Sequence, residues 1–326
     1  MNYLIFGGGG FIGAHLAKYI ADQEVCVENI YSLDINNKEN VYSKYIYCDV
    51  RQPVDVEIAE ISSSIIFNLA AVHVTPGHAD YEYFETNIWG AENVCNFARK
   101  NKINTIVFTS SIAPYGVSED NKTETTLPLP NTPYGISKLT AEYIHKVWQA
   151  EDPGKRKLII ARPGVVFGKN EGGNFTRLYS SLKKGFFFYP GRKNTIKASV
   201  YVKDVIRILF DASIYEAPGV VTFNLTYFPA PSIEEICEAI AHVTKVKEPE
   251  IVVPPNTLKF AAGLLYSSAK ILGKKFNGIH PDRVKKLMIS TNISGEKLSN
   301  TRYRLRYNLE ESITDWFNDC DRKGLY

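Results

Sequence analysis

The sequence predicts an α/β protein with a doubly wound parallel sheet, followed by a smaller mixed α/β region. Three observations lead to this prediction. Short apolar segments alternate with helical patterns through the first half of the 326-residue chain, which is typical of βαβ units with helices on both faces of a sheet. A run of glycines follows the first apolar segment. After about Val165 the alternation is replaced by glycine, aromatic and basic residues in mixed order.

The elements can be assigned in chain order. Six apolar segments have the length of buried strands: residues 2–6, 27–34, a stretch ending at Asp49, 64–71, 105–111 and 157–163. Helices are expected where apolar residues recur at helical spacing, at about residues 11–21, 81–100 and 134–150. A strand, a helix and a strand are expected over about 195–225, and Ser232 with Glu235 forms a capping-box pattern that begins another helix.

Composition and charge exclude several classes of protein. Apolar residues make up 44% and charged residues 22% of the chain, as in ordinary globular proteins. The net charge of +3 and the lack of a dense Lys/Arg run give no reason to expect a nucleic-acid partner. Five scattered cysteines without a C-x-x-C pair indicate a reducing, cytoplasmic compartment. The N-terminus lacks the basic and uninterrupted apolar pattern of a signal peptide.

No apolar stretch reaches the ~18 residues of a membrane span. The nearest covers residues 260–272, in LKFAAGLLYSSAKILGKK, and is interrupted by Ser267, Ser268 and Lys270. Two interpretations stay open for this segment: a packed amphipathic helix, or a helix that docks on a membrane surface or on a partner.

The turn after the first strand, GGGGFIG, indicates a bound dinucleotide. Gly7, Gly10 and Gly13 fit G-x-x-G-x-x-G, and Gly8 in place of Gly7 fits G-x-G-x-x-G. Between a strand and a helix, such glycines permit a tight turn and the close approach of a pyrophosphate. The unpaired N–H groups at the start of the following helix then bind the phosphates.

An acidic residue follows at the spacing that this type of site requires. Asp34 lies 21 residues after Gly13, at the end of the second strand. A carboxylate there accepts hydrogen bonds from the ribose of NAD and repels the 2′-phosphate of NADP, so NAD is favoured, with Lys38 as the nearby cation that keeps NADP open. We expect residues 1–165 to form a Rossmann-type domain, with a segment near 195–228 returning to it. Residues 166–326 would form mainly the substrate-binding domain.

A second motif, TPYGISK, contains candidate catalytic residues. Tyr134 and Lys138 are four residues apart and share one face of a helix that Pro133 can begin. Ser111 ends the fifth predicted strand, and open α/β sheets bind their ligands at strand ends. A nearby ammonium and an oxidised nicotinamide both favour phenolate, so we expect the pKa of Tyr134 to fall below its usual value of ~10. The three residues would form a proton-transfer site beside a hydride acceptor.

These motifs resemble those of the extended short-chain dehydrogenases/reductases, within the NAD-dependent sugar-nucleotide epimerase/dehydratase family. The matching segments are GGGGFIG, Asp34, CDV at 48–50, NLAAVH at 68–73, TNIWGAENV around Asn87, TSSIAPYG, YGISK, ARPGVVFG and YVKDV at 201–205. All but the last lie within about residues 1–170, in the family's order and spacing. As a set they are specific for the family and much less so for one member.

The resemblance implies roles for individual residues. Ser111, Tyr134 and Lys138 would be the catalytic triad, and Tyr134 and Lys138 would also contact NAD. The other cofactor contacts would be Gly7, Gly10, Phe11, Ile12, Gly13, Asp34, Asp49, Val50, Leu69, Ala70 and Ala71. The substrate contacts would be Asn174 and Phe175 at a diphosphate, Phe188 and Tyr189 at a nucleoside base, and Lys197 and Arg283. The resemblance also implies a homodimer, joined through the helices near 81–100 and 134–150.

The chain departs from the family pattern at two places. Dehydratases of this type usually have Asp-Glu directly after the catalytic hydroxyl residue, but Ile112 and Ala113 stand there and neither can transfer a proton. Dehydration is therefore not expected. Lys197 stands where many relatives have an arginine, and lysine cannot make the bidentate phosphate contact of arginine.

Several other residues have an interpretation as packing or solvated residues as well as a functional one. His73 and His78 have no third ligand at suitable spacing, so no metal site is expected, and His73 is placed near the cofactor or the substrate. The phenylalanine run at 186–188 belongs either to the core or to a base-stacking contact. Four basic residues near this run form either a solvated face or a surface that attracts an anionic nucleotide: Lys183, Lys184, Arg192 and Lys193.

The functional hypothesis is NAD-dependent epimerisation of a nucleoside-diphosphate sugar, at C4, through a 4-keto intermediate. One alternative is an NAD(P)H-dependent reductase of 4-keto sugar nucleotides. Another is a lipid alcohol dehydrogenase, which the apolar segment 260–272 keeps open. A non-catalytic dinucleotide-binding sensor or scaffold is an alternative of a different class, and the intact triad argues against it.

Overall fold

A seven-stranded parallel sheet forms the centre of the protein, in the order β11-β7-β5-β4-β1-β2-β3. The computed structural model describes residues 1–38, 40–74, 77–254, 256–257 and 288–326. Its strands are β1 Asn2–Phe6, β2 Ile30–Asp34, β3 Lys44–Tyr47, β4 Ser64–Asn68, β5 Thr105–Thr109, β6 Ser118–Lys122, β7 Lys157–Pro163, β8 Val165–Phe167, β9 Tyr189–Pro190, β10 Ser199–Tyr201, β11 Gly219–Leu225, β12 Val252–Val253 and β13 Thr291–Ile293. The chain order reverses between β1 and β4, and open α/β sheets bind ligands at such a reversal. The predicted Rossmann-type α/β fold is confirmed.

Helices cover both faces of this sheet. The α-helices of the described chain are α1 Phe11–Ala21, α2 Asp80–Phe84, α3 Gly90–Lys100, α4 Pro133–Ala150, α5 Asn174–Lys183, α6 Val202–Tyr215, α7 Ile233–Thr244, α8 Glu296–Ser299 and α9 Leu309–Asp319. The two faces are seen in β1, where Tyr3 and Ile5 join one core and Leu4 and Phe6 join the other. Helices α1 and α6 pack together on the first face, and α3 and α4 pack together on the second.

Several predicted elements differ from the observed ones at their ends. Strands β4 and β5 stop at Asn68 and Thr109, earlier than the apolar pattern predicts. The residues that follow, including Ala71 and Ser111, therefore lie in loops at the carboxyl edge of the sheet. The predicted strand over 27–34 begins with a 3₁₀ turn at Val27–Asn29. The predicted helix over 81–100 contains a π-helical segment, Glu85–Trp89, between α2 and α3.

Three small two-stranded sheets accompany the main one, each with at least one strand from the second half of the chain. These sheets pair β10 with β8, β12 with β9, and β13 with β6. The capping box predicted at the start of α7 is present: the Ser232 hydroxyl accepts from the Glu235 N–H at 3.2 Å, and the Glu235 carboxylate accepts from the Ser232 N–H at 2.7 Å. Within the described parts of the chain, no helix has the length and apolar character to cross a membrane. The cytoplasmic location stays a prediction, and the apolar segment 260–272 lies outside the described residues.

Candidate active site

The glycine turn between β1 and α1 is tightly enclosed by backbone. Gly7 has a φ of +79°, and a Cβ there would lie 2.8 Å from the backbone nitrogen of Ala70. A Cβ on Gly13 would lie 2.5 Å from the carbonyl oxygen of Gly7, and one on Gly8 would lie 2.2 Å from the hydroxyl oxygen of Ser32. Side chains at these positions would push the turn apart. The absence of side chains instead keeps the turn compact against the ends of β2 and β4.

Helix α1 begins directly after this turn and provides an anion-binding end. Gly10 precedes its first residue without a side-chain cap, and the first turn contains no acidic residue. The N–H groups of Phe11, Ile12 and Gly13 have no acceptor within the helix, as at any helix start, and the helix dipole favours a negative charge there. The turn and the helix end together fit a pyrophosphate.

Asp34 lies at the carboxyl end of β2, beside the glycine turn. Its Oδ2 accepts a hydrogen bond from the Gly9 N–H at 3.0 Å, and its Oδ1 accepts one from the Asn36 N–H at 2.9 Å. Each carboxylate oxygen has a further lone pair. Acceptor capacity therefore remains for the hydroxyl groups of a ribose, and that contact stays a prediction.

The other predicted cofactor contacts lie along the same edge of the sheet. Asp49 pairs with Arg51 at 2.6 Å, and hydrogen bonds from Arg51 lower the pKa of that carboxyl. Val50 is buried, with its Cγ2 only 2.8 Å from where a Cβ on Gly90 would lie, so its side chain packs against α3. Partly exposed residues follow β4 in the loop that touches Gly7: Leu69, Ala70 and Ala71.

Ser111, Tyr134 and Lys138 lie close to one another, where β5 ends and α4 begins. The Thr132 side chain caps α4 by accepting from the Gly135 N–H at 3.1 Å, which places Tyr134 in the first turn. The Ser111 hydroxyl lies near the Tyr134 phenol and favours its ionised form. Lys138, one turn further along, is 2% exposed. The sequence motifs therefore do bring the three predicted catalytic residues into one site.

Burial dominates the electrostatics of this site. It raises the pKa of Tyr134, and the hydrogen bond from Ser111 opposes this only in part. It also lowers the pKa of Lys138 to about 7, although the nearby Glu142 carboxylate favours the charged lysine. In the chain alone, removal from water disfavours the charge on both groups, and the pKa of the half-buried Tyr134 lies above its usual value. The predicted lowering of this pKa, which includes the charge of an oxidised nicotinamide, stays a prediction.

Asn87 ties the loop after β4 to α4 and was assigned no role from the sequence. Its Oδ1 accepts from the Val72 N–H at 2.9 Å, and its Nδ2 donates to the Val72 carbonyl at 3.1 Å and to the Ser137 hydroxyl at 2.8 Å. Asn87 is buried and lies in the π-helical segment, a distortion that is frequent at functional sites. The sequence contains one indication of this role, because the amide side chain of Asn87 stands three residues after Phe84, on the apolar face of the predicted helix.

A buried ion pair lies beneath the site. Arg162 on β7 donates from Nε and one Nη to the two carboxylate oxygens of Glu142, at 2.8 and 2.6 Å. The Ser110 hydroxyl donates to the same carboxylate at 2.6 Å, and the other Nη of Arg162 donates to the Tyr115 hydroxyl at 2.6 Å. The network joins α4 to β5, to β7 and to the loop after Ser111. The sequence indicates only that Glu142 stands four residues after Lys138, on the same face of the helix. It does not indicate the partner, because Arg162 is 20 residues further along the chain.

Two predicted substrate contacts lie at the start of α5. Asn174 is exposed, and its Oδ1 accepts from Arg177 at 3.0 Å. The Phe175 ring is buried and stacks on Phe167 with centroids 4.2 Å apart, and the Phe175 N–H donates to the Glu171 carboxylate at 3.4 Å. The hydrogen bonds and ring contacts of Asn174 and Phe175 do not include a residue of the triad.

The remaining predicted substrate contacts are dispersed. Phe188 is exposed, whereas the Tyr189 side chain is buried against α7 and Phe187. Lys197 donates to the Ile289 carbonyl at 2.8 Å, and burial lowers its pKa to about 8. Arg283 lies outside the described residues.

The two histidines have different surroundings. Burial lowers the pKa of His73, and the charge of Lys138 acts in the same direction. The placement of His73 near the cofactor or the substrate stays a prediction. His78 lies 2.8 Å from Glu82. Within the described residues, no group of three or more His, Cys, Asp or Glu side chains could hold a metal ion.

Two of the four basic residues near the phenylalanine run are engaged in ion pairs. Arg192 pairs with Glu119, and Lys193 pairs with Glu234 at 2.9 Å. The two lysines at the end of α5 are exposed. The run itself is divided as well, since its second phenylalanine packs against the core while the other two are exposed.

Comparisons with known proteins identify the family of the chain. A family model described as the NAD dependent epimerase/dehydratase family matches residues 3–216. The chain is 28% identical over 315 residues to the N-acetyl-alpha-D-glucosaminyl-diphospho-ditrans,octacis-undecaprenol 4-epimerase of Escherichia coli O157:H7, which covers 96% of this chain and 93% of that protein. It is 27% identical over 317 residues to a decarboxylating sterol-4-alpha-carboxylate 3-dehydrogenase of Saccharomyces cerevisiae, with 87% of each chain covered.

A solved structure has the same fold over nearly the whole chain. The UDP-glucuronic acid 4-epimerase from Bacillus cereus, crystallised in complex with NAD, superposes with a TM-score of 0.73 at 17% identity. The match covers 98% of this chain and 96% of that one. At this level of identity the likeness establishes the fold.

Proposed function

The chain belongs to the NAD dependent epimerase/dehydratase family, and we propose that it is an NAD-dependent 4-epimerase acting on a nucleoside-diphosphate sugar. The observation that supports this most strongly is the meeting of Ser111, Tyr134 and Lys138 at the carboxyl edge of the sheet, beside a glycine turn that has no room for side chains. The three side chains would transfer the proton, and the glycine turn would bind the dinucleotide.

The residues present fit NAD. The glycine turn and the start of α1 would hold the pyrophosphate, Asp34 would accept from the adenosine ribose, and Lys138 would hold the nicotinamide ribose. Asp49, Val50 and the loop after β4 would complete the pocket, with Val50 contributing mainly as packing. When bound, NAD accepts a hydride from the sugar and returns it, so the cycle consumes no oxidant.

The chain's own residues would move the proton. Ser111 would orient the 4-hydroxyl of the sugar. Tyr134 would accept the proton of that hydroxyl as C4 is oxidised to the ketone, in the phenolate form that the positive charges of the bound nicotinamide and of Lys138 favour. The flat 4-keto sugar would then turn in the site. Tyr134 would return the proton to the oxygen as C4 is reduced on its opposite face, which inverts the carbon.

Dehydration is not supported. Ile112 and Ala113 follow Ser111 in the sequence, and neither side chain can transfer a proton. Elimination of water needs a further acid and base next to the sugar, and these two positions supply neither.

A second substrate class is favoured by one specific comparison. The relative from Escherichia coli O157:H7, aligned over 96% of this chain, is named for a sugar diphosphate attached to undecaprenol. A nucleoside-diphosphate sugar and a sugar diphosphate attached to a polyprenol share the sugar and the diphosphate. They differ in the group on the far side of the diphosphate, which is a nucleoside in the first and a polyprenol in the second. The two residues proposed for that distal end are Phe188, which is exposed, and Tyr189, which is buried.

The test is incubation of the purified protein, without added cofactor, with UDP-N-acetylglucosamine, UDP-glucose, UDP-glucuronic acid, a GDP-sugar and N-acetylglucosaminyl diphosphate on a short polyprenol. We expect one of these to yield its C4 epimer by NMR, with a deuterium placed at C4 retained. Tyr134→Phe should lower the rate by at least about 10²-fold, because the proton acceptor is lost. Tyr143→Phe removes a hydroxyl from an exposed position of the same helix and serves as the matched control.

Other outcomes would assign a different function. Consumption of NADPH by a 4-keto sugar, with no epimer formed from any sugar offered, would identify a reductase. Wild-type cellular function in the Tyr134→Phe strain would identify a non-catalytic dinucleotide-binding protein.

We also propose a homodimer. Ile136, Tyr143 and Val147 form an exposed apolar stripe along α4, and Tyr81 and Trp89 are exposed on the neighbouring helical segment. Residues at this spacing share one face of a helix, and exposed apolar faces of this kind mark interaction sites. A second copy would cover both helices.

A further inference from the structure

We propose that the protein docks reversibly on an anionic membrane surface through a small patch at the end of α5. The patch consists of Lys183, Lys184, Phe186, Phe188 and Ile251. The Phe186 side chain is 79% exposed and that of Ile251 is 65% exposed. This inference goes beyond the proposed epimerase activity, and the vesicle-binding test below does not depend on that activity.

A helix-ending turn fixes the direction of Phe186. Gly185 has a φ of +69°, its N–H donates to the Leu182 carbonyl at 2.9 Å, and the Phe186 N–H donates to the Ser181 carbonyl at 3.0 Å. These two bonds form a Schellman motif, in which the residue at the position of Phe186 usually packs back on its helix. Here that ring faces solvent, although its backbone is held in place.

The next residues alternate between the core and the solvent. Phe187 and Tyr189 point inward and contact each other with ring centroids 5.5 Å apart, whereas Phe186 and Phe188 are exposed. Strand β12 pairs alongside, with the Tyr189 N–H donating to the Ile251 carbonyl at 2.8 Å. This pairing places Ile251 next to Phe188. The outward side chains therefore form a contiguous apolar surface on a hydrogen-bonded backbone.

The charges around this apolar surface favour an anionic partner. Lys183 and Lys184 are exposed beside the phenylalanines and form no ion pair with any described residue. The segment 245–250, which leads into β12, adds two lysines and two glutamates, and Lys247 pairs with Glu250 at 3.3 Å. Behind the patch, Lys193 pairs with Glu234, and the Glu238 carboxylate also acts on Tyr189. The excess of positive charge is therefore small and lies at Lys183 and Lys184, beside the phenylalanines. Aromatic residues flanked by lysines are typical of surfaces that bind the headgroup region of an anionic bilayer.

Other occupants fit this surface less well. A stable protein interface needs about 20–30 residues a side, far more than these five side chains, and the larger apolar stripe on α4 is available for a second copy. A nucleoside base held by Phe188 would leave Phe186 and Ile251 in water. A bilayer headgroup layer accepts single inserted side chains and has no minimum area.

The position of the patch agrees with the second substrate class under the proposed function. Phe188 is both a patch residue and the residue proposed to contact the end of the substrate beyond the diphosphate. Docking through this face would bring that end of the site to the membrane surface. A lipid-linked substrate could then enter without its chain leaving the bilayer.

The test measures vesicle binding by the full chain in the absence of any sugar substrate. We expect flotation of the wild-type protein with vesicles of equal parts phosphatidylcholine and phosphatidylglycerol, and much weaker flotation with phosphatidylcholine alone. Phe186→Ser, and separately Lys183→Gln with Lys184→Gln, should each lower the partition coefficient by at least about tenfold. Phe186→Trp should bind like the wild type and show a blue shift of its emission on vesicle addition.

Matched controls are exposed residues elsewhere. Tyr47→Ser and Lys155→Gln alter an exposed aromatic and an exposed lysine outside the patch and should leave flotation unchanged, and Tyr47→Trp should show no blue shift. The Phe186→Ser protein should keep wild-type kcat/KM on a water-soluble sugar nucleotide, which separates this proposal from the epimerase proposal.

Three results would overturn the proposal. The first is a wild-type protein that does not float with anionic vesicles. The second is unchanged flotation of both the Phe186→Ser and the double lysine variants. The third is a change in the molar mass of the protein in solution caused by Phe186→Ser, because it would make a second copy of the chain the occupant. If Phe186→Ser fails to fold, the lysine and tryptophan variants still decide the question.

Discussion

The ammonium of Lys138 lies 4.4 Å from the ring centre of Phe108, inside the protein. The same ring stacks on His145, with centroids 4.2 Å apart. The His145 Nδ1 donates to the Ala141 carbonyl at 2.7 Å, which leaves Nε2 to accept from the Asn68 amide at 3.2 Å. Burial lowers the pKa of His145 to about 4, so the imidazole is neutral. Lys138 is thus paired with a π face, which attracts a cation, while Glu142 is already engaged by Arg162.

This environment predicts that Lys138 destabilises the protein below neutral pH when no ligand is bound. Its pKa falls from an ordinary 10.5 to about 7 on folding, so the folded state binds the proton less tightly than the unfolded state. The resulting loss in the free energy of unfolding is complete below about pH 7 and disappears as the pH rises towards 10.5. Lys138→Met should therefore raise the free energy of unfolding at about pH 6, on the order of 2 kcal/mol.

The measurement is urea unfolding of nucleotide-free protein at about pH 6 and about pH 9. The advantage of Lys138→Met should shrink at the higher pH, because the wild-type lysine is by then neutral in the fold. Lys155→Met, at an exposed position, should show no such change. If the free energies of unfolding of Lys138→Met and the wild type differed by the same amount at both pH values, the lowered pKa of Lys138 would be contradicted.

The buried ion pair beneath the site predicts a strongly non-additive pair of mutations. Glu142 and Arg162 are 0% and 4% exposed, and removal of one partner leaves the other charge buried. Arg162→Met should lower the free energy of unfolding by about 3–5 kcal/mol. Arg162→Met together with Glu142→Met should cost less than the sum of the two single changes.

The matched control for this cycle is an exposed pair. Lys100 and Asp55 lie 3.1 Å apart with side chains mostly in solvent, so Lys100→Met should cost less than about 1 kcal/mol. Urea unfolding measures all the variants. Simple additivity of the Glu142 and Arg162 changes would show that the two side chains are not coupled in the native state.

The parts of the site that the sequence predicted well depend on local geometry. The glycine turn, the helix that starts at Pro133 and the four-residue spacing of Tyr134 and Lys138 are all set within a few residues, so a short motif is enough to place them. The position of Asp34 at the end of β2 is predictable for the same reason, because β2 belongs to the same βαβ unit as the glycine turn. The roles of these residues in binding and catalysis stay predictions.

The parts that the sequence did not predict depend on distant partners. Asn87 acts on Val72 and Ser137, which are 15 and 50 residues away, and no short pattern encodes that. The phenylalanine run at 186–188 contains only one residue type, so the sequence cannot show which ring points inward. The raised pKa of Tyr134 in the chain alone depends on burial. The sequence indicates which charged groups are near the phenol but not how much water is excluded from it.

The glycine turn predicts a contrast between two alanine substitutions. A Cβ at Gly13 would lie 2.5 Å from the Gly7 carbonyl oxygen, and backbone cannot move aside cheaply. Gly13→Ala should therefore open the turn and weaken NAD binding at least about tenfold, with a loss of stability of about 1–3 kcal/mol. Gly154→Ala meets no atom within 4 Å and should leave both quantities unchanged. Calorimetric titration with NAD and thermal unfolding measure the two effects, and equal behaviour of the two variants would contradict the proposed role of the turn.

The apolar stripe on α4 predicts that two charges will separate the proposed dimer. Tyr143 and Val147 are exposed one turn apart on α4, so both would lie inside an interface formed by this helix and its neighbour. An arginine buried there without a partner costs several kcal/mol, and Tyr143→Arg with Val147→Arg should weaken dimerisation by at least about 10²-fold. Light scattering over a range of concentrations should find a wild-type dimer and a monomeric double variant. Val41→Arg alters an exposed apolar residue outside these helices and should leave the dimer intact. A monomeric wild type, or a double variant that keeps the wild-type mass, would show that this face is not the subunit interface.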